Sequence, residues 1–313
     1  MTQSLIHGIR ENDHGSISKA ISIIENNQIE SKLILAGLYP NSNNAIRIGI
    51  TGPPGAGKST LTNTIIEKIL GENKTVGVIA VDPSSPFSGG ALLGDRIRMN
   101  KYAWDNRVFL RSMGSHGDLG GLSRRTQEVG DIIAASGKDY IIFETVGVGQ
   151  SEHDIIKVAD ISIVVLVPES GDEIQMMKAG LIEIADLFVI NKSDRDGASR
   201  LSTMLKNILH NFSSQNKLEP PVYNTIGTKG AGIDNLFFGI KEHFKLISDL
   251  GYLDERRLER YRQRVLSLVT SALEKSFWTK ERFDYLNNLT DTIDKINKVP
   301  HSMADKLLND HIR

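Results

Sequence analysis

Gly52-Pro53-Pro54-Gly55-Ala56-Gly57-Lys58-Ser59-Thr60 follows the apolar run Ile46-Arg47-Ile48-Gly49-Ile50 and leads into a helical pattern over 61–70. It fits G-x-x-x-x-G-K-[ST] set between a strand and a helix, the context of a phosphate-binding P-loop. Its glycines let successive backbone N–H groups curl round a polyphosphate, and the positive end of the next helix adds to the attraction. Lys58 is expected to reach the β- and γ-phosphates, Ser59 to bind Mg²⁺, and the whole run 52–60 to line a nucleotide.

Short apolar runs at 46–51, 76–82, 108–111, 140–144, 161–167, 187–191 and 222–225 alternate with helical patterns. That alternation predicts an α/β fold, a mainly parallel P-loop NTPase sheet with helices on both faces. Ligands of such sheets sit at the carboxyl ends of the strands. Asp82, Glu144 and Asn191 each close an apolar run, so all three are expected near the phosphates.

Asn191-Lys192-Ser193-Asp194 is an N-K-x-D turn just past a strand. In GTPases the aspartate of this turn pairs with the N1 and N2 hydrogens of guanine, a donor pair that adenine lacks, so Asn191, Lys192 and Asp194 favour GTP over ATP. The 225–232 segment after the last strand, with Gly227 in it, is expected to brush the guanine through its backbone. Tyr140-Ile141-Ile142-Phe143-Glu144-Thr145-Val146-Gly147-Val148-Gly149-Gln150 reads as the Walker-B strand and γ-phosphate sensor. Familiar GTPases place a water-orienting glutamine directly after the first glycine. Here Val148 stands there and cannot hydrogen-bond the attacking water, which predicts slow intrinsic turnover unless a partner or Gln150 supplies the group.

Asp82-Pro83-Ser84-Ser85-Pro86 and, further on, Gly94-Asp95-Arg96 suit a mobile segment that senses Mg²⁺ and γ-phosphate. Ser59, Asp82, Asp95 and Glu144 then form an oxygen-rich set for Mg²⁺, partly through water. On spacing alone, Asp95 also reads as a helix cap. The expected catalytic group is Lys58, Glu144, Asp95 and Gln150. His116 and His153 have no partner at metal-ligand spacing and read as surface histidines.

Before the P-loop, Ile17, Ala20, Ile21 and Ile24 fall on one face of a helix started near Asp13 or Ser16. A second short helix is expected over 31–38, then a loop at 40–44. This gives a helical extension over 1–44, a P-loop domain over 45–250 and a helical arm over 251–313. In the arm Leu258, Tyr261, Val265, Leu268, Val269 and Ala272 make one stripe. Five arginines between 256 and 264 are interleaved with glutamates, which favours a solvated helix face or a partner interface over a nucleic-acid patch.

Over 313 residues, 37 basic side chains balance 38 acidic ones, a net charge of −1, which gives no long-range pull on nucleic acid or an anionic membrane. The absence of cysteine excludes disulfides, thiolate metal sites and cysteine nucleophiles. No window approaches the roughly 20 apolar residues of a membrane span, and the first residues carry no secretory pattern, so a soluble cytoplasmic protein is expected.

These motifs together resemble the MeaB-type GTPases, also called the ArgK/LAO transport ATPase family, within the metallochaperone-like P-loop GTPases. The resemblance is carried by the P-loop with Gly49-Ile50-Thr51 before it, Val81-Asp82-Pro83-Ser84-Ser85, Leu93-Gly94-Asp95-Arg96 and Leu119-Gly120-Gly121-Leu122. It continues through Glu144-Thr145-Val146-Gly147-Val148-Gly149-Gln150-Ser151-Glu152, Gly171-Asp172-Glu173-Ile174-Gln175 and Asn191-Lys192-Ser193-Asp194. The resemblance implies a GTPase that chaperones an adenosylcobalamin-dependent acyl-CoA mutase, typically methylmalonyl-CoA mutase, gating cofactor loading and protecting the radical enzyme. It also implies a homodimer formed through the C-terminal arm, and a loop over 170–180, with Lys178 in it, that couples nucleotide state to the partner. Gly227 departs from the alanine many relatives carry, and the last 60 or so residues match by helical character only. Two other readings stand beside this one: a kinase or transport-linked ATPase, and a nucleotide-gated scaffold with little turnover.

Overall fold

The computed structural model describes residues 2–26, 29–83, 101–102, 104–115, 121–145, 157–168, 181–213, 218–297 and 299–309. All seven apolar runs are strands: β1 Ile46–Thr51, β2 Val76–Pro83, β3 Val108–Ser115, β4 Tyr140–Thr145, β5 Ile161–Leu166, β6 Leu187–Ile190 and β7 Val222–Asn224. They form one sheet in the order β3-β2-β4-β1-β5-β6-β7, and every pairing among the described residues is parallel. The expected α/β class is therefore the observed one. β1, β4, β5 and β6 are almost wholly buried, because a parallel sheet covered on both faces leaves its central strands no polar side.

The described helices are α1 Thr2–Arg10, α2 His14–Glu25, α3 Ser31–Leu38, α4 Lys58–Gly71, α5 Gly121–Ala135, α6 Ala198–Ser213, α7 Ile233–Asp249, α8 Tyr252–Phe277, α9 Lys280–Leu289 and α10 Pro300–Asn309, besides single turns. One face of the sheet is closed by α4 and α7, where Leu61, Ile65, Ile69, Leu236 and Ile240 meet Ile48, Ile50 and Ile163. The other face is closed by α5 and the amino-terminal helices, where Ile17, Ile21, Ile34 and Leu38 pack with Val129, Ile133 and Phe143. Full burial of each such side chain contributes about 1.5–3 kcal/mol. The extension is thus a wall of the core. Asp13 caps α2, its carboxylate accepting from the Ser16 amide at 2.7 Å, which is the start expected from sequence.

At the amino ends of the strands lies a charge network built on buried aspartates. Arg47 on β1 pairs with Asp131 on α5 at 2.6 Å. Asp160 and Asp186, just before β5 and β6, receive the first turns of α8: Arg256 donates to Asp186 Oδ1 and Oδ2 at 2.7 and 2.9 Å, and Arg257 donates to Asp160 Oδ2 at 3.1 Å. His243 Nε2 stands 3.4 Å from Asp186 Oδ1. Burial alone would raise the Asp186 pKa, but its bonds to His243, Arg256 and the Ser162 amide outweigh that and hold it below 3.8. Two of the five arginines expected on a solvated face therefore anchor the first turns of α8 to the sheet.

The chain divides into two compact units, Met1–Arg257 and Leu258–Arg313, so the first α8 turns belong with the sheet. In the second unit the predicted stripe is on α8, with Leu258, Tyr261, Val265, Leu268 and Val269 all at least two-fifths exposed. Where α8 gives way to α9, Trp278 stacks on Phe283 and meets Phe277 edge-on. Among the described residues, no helix is long and apolar enough to cross a membrane.

Candidate functional site

Because β1 is central and parallel to its neighbours, the P-loop leaves the middle of the sheet at its carboxyl edge, with β4 on one side and β5 on the other. Two glycines are required there. Gly52 has φ +138°, and a Cβ on it would stand 2.1 Å from the Val165 carbonyl oxygen of β5. Gly57 has φ +85°, and a Cβ there would stand 2.4 Å from Asn191 Nδ2. Any other residue would be strained at both places and would push the loop off its neighbours. Between them Pro53 is half-buried, Pro54 and Gly55 are exposed, and Ala56 is buried.

Gly57 caps α4 in the left-handed conformation, so the helix begins at Lys58 and its amino terminus, the end with positive partial charge, adjoins the loop. The Lys58 side chain is buried, and Nζ donates to the Gly52 and Pro53 carbonyls at 2.8 and 2.9 Å. Its ammonium therefore lies inside the curl of the loop, where the phosphate chain is expected. Ser59 Oγ donates to Glu144 Oε1 at the end of β4. One residue on, Thr145 Oγ1 donates to Thr51 Oγ1 at 3.0 Å and ties the end of β4 to the end of β1. Thr60 faces Gly227, its Cγ2 standing 3.3 Å from where a Gly227 Cβ would be.

Asn191 is 3 % exposed and bonds in three directions. Nδ2 donates to the P-loop carbonyl of Ala56 at 2.9 Å, while Oδ1 accepts from Thr225 Oγ1 at 3.2 Å and from the Gly227 amide at 3.0 Å. One side chain thus joins the P-loop, the 191–194 turn and the 225–232 segment. Lys192 sits at φ +55°, uncommon for a non-glycine residue, and bends the chain so that the Ser193 amide donates to the Thr225 carbonyl at 3.0 Å. Asp194 then projects into solvent, 3.1 Å from Lys229 Nζ.

Of the expected residues, Gly52 to Thr60, Glu144, Asn191, Lys192, Asp194 and Gly227 thus gather along the carboxyl edge of the sheet. Asp82 lies in β2 on the same edge, and its side chain is outside the described residues. Asp95, Gln150, Val148, His116, His153 and the 170–180 loop with Lys178 are likewise outside them. The Ser59 hydroxyl and the Glu144 carboxylate are hard oxygen donors held together beside the loop, a pair that suits Mg²⁺. Among the described residues no group of three His, Cys, Asp or Glu side chains gathers to hold a metal. Sequence reasoning missed the three-way role of Asn191 and the proximity of Lys229 to Asp194; both depend on contacts across about 35 residues or more.

A family profile described as Methylmalonyl Co-A mutase-associated GTPase MeaB matches residues 17–282. A protein of Pyrococcus horikoshii that bears a GTPase name is 44 % identical over 312 residues, covering 97 % of this chain and 96 % of that protein. GTPase ArgK of Escherichia coli is 33 % identical over 287 residues, covering 89 % and 87 % of the two chains. A crystal structure of a protein described as LAO/AO transport system kinase superposes with a TM-score of 0.76 at 25 % identity, over 100 % of this chain and 98 % of that one.

Proposed function

Because this chain belongs to the MeaB family of P-loop GTPases, we propose that it hydrolyses GTP to GDP and phosphate with Mg²⁺ and uses the cycle to chaperone an adenosylcobalamin-dependent acyl-CoA mutase. The observation that carries the nucleotide reading is the Asn191 bridge, which fixes the phosphate loop and the guanine-reading turn as one body. The client reading rests on the family's description as mutase-associated, with methylmalonyl-CoA mutase as the named client.

Hydrolysis joins a water oxygen to the γ-phosphorus and breaks the bond to the β–γ bridging oxygen, and the water proton ends on phosphate. Such a reaction needs positioning and charge neutralisation rather than covalent help. Lys58 and the first amides of α4 supply positive charge along the phosphates. Ser59, with Glu144 behind it, would hold Mg²⁺ alongside Asp82 and Asp95; the ion, when bound, neutralises phosphate oxygens. Asp194 reads the N1 and N2 hydrogens of guanine, and Gly227 backs the base. With Val148 in the water-orienting place, the unaided rate is low, and Gln150 or the client supplies the missing contact. Two chains pair through the exposed apolar stripe of α8, the 170–180 loop with Lys178 relays nucleotide state, and the assembly works in the cytoplasm as a helical extension, a P-loop domain and an arm.

Phosphate release from GTP tests this. The wild type should turn over slowly, purified mutase should accelerate it, and Lys58→Ala should abolish it. Unchanged turnover in Lys58→Ala would mean that the site is wrong; a stoichiometric mutase complex without acceleration would count against gating. An ATP-using kinase, the reading suggested by the name of the superposed transport system kinase, requires ATP to displace GTP in competition.

A further inference from the structure

We propose that Lys229 is a positioning residue for guanine recognition, acting through the carboxylate of Asp194. The inference rests on the guanine reading above, where the 225–232 segment acts through its backbone, and adds to it the side chain of Lys229. Asp194 projects from its turn into solvent, and a carboxylate so placed has several rotamers of similar energy. Its contact with the base has to select one of them. Lys229 Nζ, 3.1 Å from Asp194 Oδ2, holds that oxygen from the side, while each carboxylate oxygen keeps a lone pair for a base N–H.

The lysine can do this because its own backbone is fixed. The Lys229 amide donates to the Ile226 carbonyl at 2.9 Å, and Ile226 and Ala231 form a bridge around it. Asn191 Oδ1 fastens Gly227 of the same segment at 3.0 Å, and the Ser193 amide binds Thr225. The two chain segments that carry the pair are therefore welded on either side of it, and little ordering remains to be done at either end. Lys229 is remote in sequence from the N-K-x-D turn, yet it faces the one side chain that sets base choice.

The test is equilibrium binding of GDP and ADP to the full chain carrying Lys229→Met, Lys229→Arg, Asp194→Asn and Lys229→Met/Asp194→Asn. Lys229→Met should weaken GDP by about two- to fivefold, the range for a solvent-exposed pair, and leave ADP unchanged, so that the GDP/ADP ratio falls. Lys229→Arg should recover most of the ratio, and the effect of Lys229→Met should vanish in the Asp194→Asn background. An equal loss for GDP and ADP, or an undiminished loss without the Asp194 carboxylate, would overturn the proposal by showing that Lys229 acts on phosphate charge or on the fold. So would wild-type affinities in Lys229→Met. If the wild type itself shows no guanine preference, the guanine reading fails first, which is a separate result.

Discussion

Replacing Asn191 by alanine removes one side chain and releases three segments at once. The amide donor to the Ala56 carbonyl goes, and so does the acceptor shared by Thr225 Oγ1 and the Gly227 amide, at 2.9, 3.2 and 3.0 Å respectively. All three partners are buried, so water does not replace what is lost. At about 1 kcal/mol net for each bond, the sheet unit should lose about 3 kcal/mol of stability. Urea unfolding followed by circular dichroism should show this as a lower midpoint with an unchanged slope. Asn191→Asp keeps the acceptor but turns an acceptor oxygen toward the Ala56 carbonyl, so it should cost at least as much. A built-in control comes from Gly57: in the wild type an added Cβ would meet Asn191 Nδ2 at 2.4 Å, so Gly57→Ala should be less costly on the Asn191→Ala background than alone. Titration of folded Asn191→Ala with GDP should also show affinity reduced by about tenfold or more, because the 52–60 loop and the 191–194 turn, which bind phosphate and base in the proposed function, no longer move together. Stability within about 0.5 kcal/mol of wild type, with strictly additive Gly57→Ala and Asn191→Ala effects, would show that Asn191 does not bridge these segments.

Gly52→Ala should abolish nucleotide binding, since φ +138° and a 2.1 Å approach to the Val165 carbonyl leave its Cβ no room; calorimetry would show it, and wild-type GDP affinity in that variant would contradict it. Asp186→Asn should cost about 2–3 kcal/mol, less than breaking a fully buried pair because Arg256 is 41 % exposed. Asp186 is held below its ordinary value, so its contribution is complete above pH 3.8 and fades as pH falls through the lowered value; the variant should lose that limb of the acid unfolding curve. Lys138, whose Nζ donates to the Asn106 carbonyl at 2.9 Å, is pushed down to about 8 mainly by burial. The unfolded chain then binds the extra proton between about pH 8 and 10.5, so stability should rise with pH across that window relative to Lys138→Met, and parallel curves for the two proteins would be the contrary result.

The sheet was legible because parallel strands covered on both faces read as unbroken apolar runs, and the run of 52–60 supplied the polarity of the β1–α4 unit. α2 and α3 were legible from the spacing of Ile17, Ala20, Ile21 and Ile24 and from the 31–38 pattern, whereas α1 was not. It buries only Leu5 and Ile9, too few positions to show a period. Arg256 and Arg257 looked like members of a solvated basic face, since their aspartates lie 70 and 97 residues away and sequence spacing carries no trace of such partners. The same holds at the site. Lys58, Ser59 and Asp194 announce themselves by motif, but the Asn191 bridge and the Lys229 contact arise only when β6 and β7 lie side by side in register, Ile190 against Asn224.

In the proposed function one edge of the sheet holds a guanine nucleotide by its phosphates at Lys58 and by its base at Asp194. Calorimetric titration of the full chain with non-hydrolysable GTP and ATP analogues in Mg²⁺ tests both halves together. A carboxylate that reads two base N–H groups should give the guanine analogue an advantage of about 100-fold or more, and Asp194→Asn should erase it. Equal affinities for the two analogues in the wild type would mean that Asp194 does not read the base.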